Sequence, residues 1–503
     1  MNNILDYLEK TAAIRSYHVA VDDGAICLTW TELLDLSRRM GTAFCKKTEA
    51  RKPIVILLEK SALTLAAMFG VVYAGCFYVM VDPAQPSERI RKIFSVLCPE
   101  LIVTDRENED LLKQAGYSGD SYLLKDVMRE KIDMEKLTIV RRGYCETDLL
   151  YGIFTSGSTG IPKGVVVSHK AVIDFITRFV DTFGFTEFER IGNQAPFDFD
   201  VSVKDIYTSV FTGAALILIP KKMFSVPPAL LDYLCMKKIS TLIWAVSALT
   251  LVSSLKGLKY KVPKDVKRVL FSGEVMPVKQ LRMWQAALPE TEFVNLYGPT
   301  EITCNCTYYP IKRIFHDGEK LPIGKPFQGR EVFLLDDFKN EIIIAGEIGE
   351  ICVAGESLAE GYYHNESETK AKFIELSAEN PDKRYYRTGD LGCYDTDGEL
   401  YFCGRKDFQI KHMGHRIELE EIEHILNQID GLEKSCCIMN PQKNQLIAFY
   451  LGEITAEEIR AELKKKVPSY MTPHKIIQEQ VLPLNKNGKT DREYLKNRLE
   501  MTI

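Results

Sequence analysis

The eleven residues FTSGSTGIPKG (154 to 164) hold three glycines, four hydroxyl side chains and one lysine. That composition suits an anion. Glycines at 157, 160 and 164 let a backbone turn with positive φ and aim successive N–H groups at one point. Thr155, Ser156, Ser158 and Thr159 add hydroxyl donors, and Lys163 adds a positive charge. A flexible glycine-rich hairpin has the same make-up, so this segment alone leaves phosphate loop and surface turn both open. The nucleotide loop GxxxxGK[ST] does not fit here. GKT at 488 to 490 lacks the upstream glycine because Pro483 stands there, which disfavours a P-loop NTPase.

Other segments carry complementary groups. NLYGPTE (295 to 301) places an aromatic ring, a tight Gly-Pro turn, a hydroxyl and a carboxylate in succession, as needed to stack a base, bind a phosphate and hold Mg²⁺. YRTGDLG (386 to 392) offers Asp390 just past a turn, where a carboxylate accepts from both ribose hydroxyls. GRKDFQIKHMGHRIELEEIE (404 to 423) and PLNKNGKTDR (483 to 492) add Arg405, Lys411 and Lys489. Each of these, taken singly, is also an ordinary loop.

The elements that must position these groups alternate along the chain. Short β-rich runs, PIVILLE (53 to 59), ELIVTD (100 to 105), ALILIP (215 to 220), TLIWAV (241 to 246) and KRVLFSG (267 to 273), are separated by amphipathic stretches of helix length. That pattern predicts parallel sheets covered by helices. LLYGIF before the glycine-rich loop and VVVSHKAVIDFITRFV after it put the loop between strands. The run LTLAAMFGVVYAGCFYVMV (63 to 81) reads as a buried helix followed by a strand. From about 320 the texture changes to closer strands with turn signals (DDFKNE, GEIGE, YDTDGE). Beyond Arg405 helices are expected at 418 to 429 and 455 to 466, with a domain boundary near Asp407.

Composition limits the classes of function. A chain of 503 residues exceeds what one core organises, so two or more domains are expected. With 46% hydrophobic and 26% charged residues it has the make-up of a soluble globular enzyme. Basic and acidic side chains number 64 and 69 without a long block of either, so neither nucleic acid nor a membrane surface is an expected partner. No apolar run reaches the roughly 20 residues of a membrane span, and the first residues lack a secretory signal pattern. Thirteen cysteines without paired CxxC spacings read as buried reduced thiols of a cytoplasmic protein rather than zinc ligands.

In their order and spacing, these segments resemble the adenylate-forming superfamily: acyl-CoA synthetases, luciferases and the adenylation domains of nonribosomal peptide synthesis. The resemblance runs from LTWTELLDLSRRMG (28 to 41) through YAGCFYVMVDPAQP (73 to 86) to Lys489. QAPFDFDVSVKDIY (194 to 207), FSGEVMP (271 to 277) and FQIKHMGHRIELEEIE (408 to 423) look most like the stand-alone D-alanine:D-alanyl carrier protein ligases. The resemblance implies an α/β fold. Residues 1–406 would form a large AMP-binding domain of layered α/β subdomains plus a β-rich subdomain, and 407–503 a small mobile α+β domain hinged at Asp407.

The same resemblance implies two half-reactions, with ATP and Mg²⁺ as cofactors. A carboxylate and ATP give an acyl-adenylate and pyrophosphate, and a phosphopantetheine thiol then takes the acyl group. One anion attacks another, so catalysis is charge neutralisation, to which the glycine-rich loop, Mg²⁺ at Glu301, Thr300 and Lys489 would contribute. By carry-over Thr155, Ser156, Gly157, Ser158, Thr159, Gly160 and Lys163 hold phosphate. Asn295, Leu296, Tyr297, Gly298, Pro299 and Thr300 line the adenine and α-phosphate site, and Asp390, Phe402, Cys403, Gly404 and Arg405 the ribose side. Lys489 bridges nucleotide and substrate carboxylate, and Lys411 belongs to the thiol-transfer state.

Substrate choice is implied at Asp200, which aligns with the carboxylate that pairs an amino acid's α-ammonium; a helix-capping aspartate is the plain alternative. Val201, Lys204, Ile243, Leu270, Ser272, Leu296, Cys304 and Asn305 complete the expected pocket. Lys204 and Ser272 are polar for a pocket around a methyl group; inside the pocket Lys204 would pair Asp200 or a substrate carboxylate, whereas a lysine there more often points to solvent. D-alanine is the favoured substrate, with serine, glycine or another small polar amino acid open. Only fourteen residues follow Lys489, without a carrier-like serine helix, so the acceptor thiol is expected on a separate protein. A nucleotide-binding sensor or scaffold without catalysis is the alternative from another class; Lys163, Glu301, Asp390 and Lys489 together argue against it.

Overall fold

The computed structural model describes residues 2–157, 160–375, 384–440, 443–484 and 490–501. Ser158, Thr159 and Lys489 lie outside them. The alternation becomes two large sheets. In a seven-stranded one, Pro53–Leu57, Phe77–Val81, Leu101–Thr104 and Asp120–Leu123 run parallel. Leu149–Thr155 adds on parallel, then turns back antiparallel as Lys163–Ser168, so the glycine-rich loop is a hairpin connection at a sheet's end. The apolar stretch of 63 to 81 is the buried helix Ala62–Tyr73 and the wholly buried strand Phe77–Val81.

A nine-stranded sheet carries the parallel run Arg190–Asn193, Thr241–Ala245, Arg268–Ser272 and Glu292–Tyr297. Helix Val201–Thr212 packs beside these strands and Gly213 ends it in the left-handed conformation a glycine adopts without strain. Carboxyl ends of parallel strands open a crevice where α/β proteins hold ligands. Six more strands, between Arg330 and Arg405, form the antiparallel sheet that the turn signals announced. Its DDFKNE turn closes because Asp336 accepts from the N–H groups of Phe338 and Asn340.

Beyond Arg405 comes a two-stranded hairpin, Gln409–His412 with His415–Glu418. Met413 and Gly414, both at positive φ, make its two-residue turn, the geometry that matches strand twist. Helix Leu419–Leu426 follows directly, three residues shorter at its far end than expected because Asn427 to Asp430 form turns and a bend. Helix Ala456–Lys466 begins at a capping box between Thr455 and Glu458. Ile417, Ile422, Ile425, Leu446, Ile459, Leu463 and Met471 share an apolar cluster separate from those of the large sheets.

All thirteen cysteines are free thiols, but only six are buried, Cys76, Cys304, Cys306, Cys352, Cys436 and Cys437. The expectation of uniformly buried thiols fails for the others, which sit on helix ends, strand edges and turns. No helix of the described residues is long and apolar enough to cross a membrane.

Candidate active site

Gly157 and Gly164 are glycines for reasons of space, not of φ. A Cβ on Gly157 would lie 2.1 Å from the Ile161 carbonyl oxygen, and one on Gly164 2.9 Å from the Phe154 ring. Of the three, only Gly160 has positive φ, which corrects the expectation for the other two. Thr155 ends the first strand, and the buried Ser156 starts the loop. The Ser156 hydroxyl donates to the Arg416 carbonyl (2.8 Å) and accepts from the Glu418 N–H (3.1 Å). The Gly157 N–H donates to the Glu421 carboxylate (3.3 Å), which is itself paired with Arg89 (2.9 Å), both side chains being buried. An anion therefore already sits on this loop, supplied by the chain. Lys163 faces Glu368 at 2.6 Å and lies over the Tyr362 ring.

The NLYGPTE segment ends strand Glu292–Tyr297 and enters a single 3₁₀ turn, Thr300–Ile302. Gly298 has no room for a side chain, since its Cβ would lie 2.6 Å from the Asn305 Cα. After the turn Thr303 and Cys304 both adopt positive φ, rare for a β-branched residue and costly without compensation. This tight double turn brings Asn305 and Cys304 back beside helix Val201–Thr212. Asn295 donates to the Pro322 carbonyl at 2.8 Å, and Leu296 is buried.

Glu301 is 1% exposed and accepts from the Tyr362 hydroxyl (2.8 Å) and from one Arg416 nitrogen through both carboxylate oxygens (2.8 and 2.7 Å). Burial works to raise its carboxyl pKa, but the guanidinium and the tyrosine hydroxyls hold it below the usual range. A buried, ionised carboxylate that already carries a cation is a fitting ligand for Mg²⁺. Arg416 stands in for that charge here. Among the described residues no group of three or more His, Cys, Asp or Glu is arranged around a metal position, so a metal at Glu301 would take its other ligands from phosphate and water.

On the adjoining sheet, register sets Asp390 opposite Arg405 and Leu391 opposite Gly404. Asp390 accepts from the Tyr297 hydroxyl at 2.6 Å and pairs with Arg405, so both of its oxygens have partners. Arg405 also pairs with Asp407 at 2.6 Å, and the Gln409 N–H donates to that same carboxylate. Burial raises the Asp407 carboxyl, Arg405 outweighs it, and the net pKa is below normal. Phe402 and Cys403 are partly buried on the same strand.

Asp200 holds the N-cap position of helix Val201–Thr212, but its side chain makes no capping hydrogen bond. Its carboxylate accepts from the Thr300 hydroxyl at 2.7 Å and its carbonyl from the Cys304 thiol at 3.1 Å. Burial raises its pKa. Lys204 is 1% exposed, contrary to a solvated lysine, and donates to Asn305 Oδ1 (2.7 Å) and Ser272 Oγ (3.2 Å). Val201, Ile243 and Leu270 are buried; Leu270 pairs with Ile243 in the sheet. Asp200, Lys204, Ser272, Cys304 and Asn305 thus meet beside the helix, and Ile243 and Leu270 are neighbours in the sheet; Lys489 lies outside the described residues. Lys411, on the hairpin, lies in the field of Asp390 and Asp200, and burial lowers its pKa.

Sequence reasoning did not reach Arg416, Glu421, Tyr362 or Arg89. The block HRIELEEIE held the only local signal: a basic residue and four carboxylates directly after a turn.

A parallel α/β sheet, an antiparallel sheet holding Asp390 and Arg405, and the hairpin 409–418 meet at these residues. The AMP-binding enzyme model matches residues 8–363, and the chain belongs to that family. It is 33% identical over 496 residues to tyrocidine synthase 3 of Brevibacillus parabrevis, covering 97% of this chain and 7% of that protein. It is 30% identical over 508 residues to the D-alanine–D-alanyl carrier protein ligase of Listeria monocytogenes (serovar 1/2a), covering 98% and 97%. The chain spans less than half the length of the first three curated relatives it matches. The Vibrio cholerae adenylation domain AlmE, solved with glycyl-adenosine-5'-phosphate, superposes with a TM-score of 0.86 at 20% identity, covering 99% of this chain and 98% of that one.

Proposed function

We propose that this enzyme activates an amino acid as its adenylate and passes the aminoacyl group to the phosphopantetheine thiol of a separate carrier protein. The observation that carries it is Asp200: a buried carboxylate bonded by Thr300, one turn along the helix from Lys204 and beside the Tyr297–Asp390–Arg405 group. A fatty or aryl acid has no cation for such a carboxylate, whereas an α-ammonium does. Asn295 to Thr300, Asp390 and Arg405 take adenine and ribose, and Thr155, Ser156 and the loop to Lys163 take phosphates. Glu301 holds Mg²⁺, which neutralises phosphate charge when bound. Lys489 and Thr300 stabilise charge in the first half-reaction, and Lys411 faces the site in the second. Asp407 is the hinge between 1–406 and 407–503.

Among amino acids, D-alanine has the support of the Listeria ligases, which match over nearly their whole length. A second reading, another small or polar amino acid, is favoured by the buried ammonium of Lys204 in the pocket wall. Both are tested by pyrophosphate release on mixing enzyme, ATP, Mg²⁺ and single amino acids of either hand. Release that depends on an amino acid supports adenylation. Nucleotide binding with no release for any amino acid supports the sensor alternative instead.

A further inference from the structure

Lys204 is an expensive residue. It ends the first turn of helix Val201–Thr212, where the helix dipole disfavours a cation. Its ammonium is buried, and its two partners, Asn305 and Ser272, are neutral oxygens on opposite walls. An ammonium has three donors, so one is left over. No carboxylate of the described residues lies within ion-pairing distance; Asp200 and Asp205 act on it only through their field. Asp205 bonds to Asn193 at 2.6 Å, and burial pushes its carboxyl pKa up and the Lys204 ammonium pKa down. Among the described residues no carboxylate bonds to the Lys204 ammonium, and Asp200 is engaged by Thr300 and stands where an α-ammonium is to bind.

The pair Asp200 and Lys204 is separated by four residues of one helix, hence by a rise of about 6 Å on one face. An acidic α-amino acid has the matching spacing: a cation at one end and, two or three bonds from Cα, a carboxylate at the other. We propose that this pocket selects an amino acid with a short acidic side chain, whose carboxylate pairs with Lys204 while its ammonium pairs with Asp200. Asn305 and Ser272 then hold the Lys204 ammonium at the pocket floor, and the lysine's reach across that floor excludes long apolar side chains. The proposal rests on the amino-acid adenylation reading and replaces its substrate.

The test is amino-acid-dependent ATP–pyrophosphate exchange with aspartate, glutamate, alanine, serine and leucine, each in both hands. Aspartate or glutamate should give a kcat/KM at least tenfold above that of alanine or serine. In Lys204→Met, similar in length and uncharged, that preference should reverse toward alanine, and Lys204→Gln should lower the acidic substrates' kcat/KM without reversing it. Faster exchange with alanine of either hand than with both acidic substrates in the wild type overturns the proposal. So does a Lys204→Met enzyme, folded by circular dichroism, that keeps the wild-type order. Absence of exchange with every amino acid overturns adenylation itself and this inference with it, an outcome distinct from exchange with the wrong class.

Discussion

At the residue scale the site is a set of buried charges, each of which needs a partner. The Asp200 carboxylate is hydrogen-bonded by the Thr300 hydroxyl, and Lys204 and Lys411 act on it without a hydrogen bond. Asp200→Ala should therefore raise the amino-acid requirement steeply, by about 3 kcal/mol or some hundredfold in KM, because the substrate ammonium loses its charged partner. ATP binding should be nearly unchanged. Titrations in which ATP and amino acid weaken equally would refute the assignment. Glu301, Asp390 and Arg405 could be singled out from short segments of the sequence, and Asp200 only through the family resemblance; the proposed substitutions test their roles. The sequence placed Lys204 among the pocket residues but left its direction open, because a lysine in an amphipathic helix reads as solvated until the turn at Thr303 and Cys304 is seen to bring Asn305 over it. It could not supply Arg89 or Tyr362, which reach the site from 332 residues before Glu421 and 61 after Glu301 with no local pattern to mark them.

At the scale of elements, strand and helix positions followed the hydrophobic period closely from 53 to 273, where central strands such as Pro53–Leu57, Phe77–Val81 and Thr241–Ala245 are buried throughout. The hairpin 409–418 was legible only as a charged stretch, since its four-residue strands carry mixed burial and its place is set by contacts with distant loops. Those contacts are specific. Ser156 meets Arg416 and Glu418, Gly157 and Arg89 meet Glu421, Glu301 meets Arg416, and the Gly414 N–H donates to Glu274 at 2.6 Å. Arg89→Met would leave the Glu421 carboxylate buried with a single N–H donor, a cost of about 3–5 kcal/mol if the packing stayed as it is. The packing should yield instead, with the hairpin moving out, as read by faster proteolysis after Lys411 and a larger radius of gyration in solution scattering. Glu421→Gln added to Arg89→Met should recover most of the compact form; a double variant as open as the single one would assign the contact no role in holding the hairpin.

The hairpin uses the same loop hydroxyl, N–H and carboxylate that nucleotide phosphates and Mg²⁺ are proposed to use, so the two compete. By linkage, whatever weakens the docked hairpin strengthens nucleotide binding by at most the same factor. Arg416→Ala frees Glu301 and should tighten ATP–Mg²⁺ binding, measured by calorimetry, while slowing transfer to a carrier thiol. Weaker ATP binding in that variant would mean that Arg416 serves the nucleotide rather than displaces it.

For the whole molecule the proposed hinge at Asp407 would divide labour between two domain orientations. In the one observed, Lys411 faces Asp390 and Asp200; in the other, Lys489 would replace it. Asp407 braces Arg405 through two bonds and receives the Gln409 N–H, so a substitution there changes both the brace and the backbone. Asp407→Ala removes the brace alone, whereas Asp407→Pro also fixes φ. Pyrophosphate release should survive in both, and loading of carrier should slow markedly only in the proline variant; equal slowing of both half-reactions by proline would count against a hinge at this position. Lys489→Ala tests the other orientation. If this lysine stabilises charge as the carboxylate attacks the α-phosphate, adenylate formation should fall about a hundredfold or more, the effect of losing one preorganised electrostatic donor. Supplied with preformed aminoacyl-adenylate, the same variant should load the carrier at close to the wild-type rate, because rotation has taken position 489 away from the reacting atoms. Lys163, fixed on the large sheet and paired with Glu368, should behave otherwise: Lys163→Ala should weaken handling of the β- and γ-phosphates whichever way the small domain is turned. A Lys489→Ala enzyme that forms adenylate normally, or that fails equally with adenylate supplied, would leave the two-orientation division without its first half.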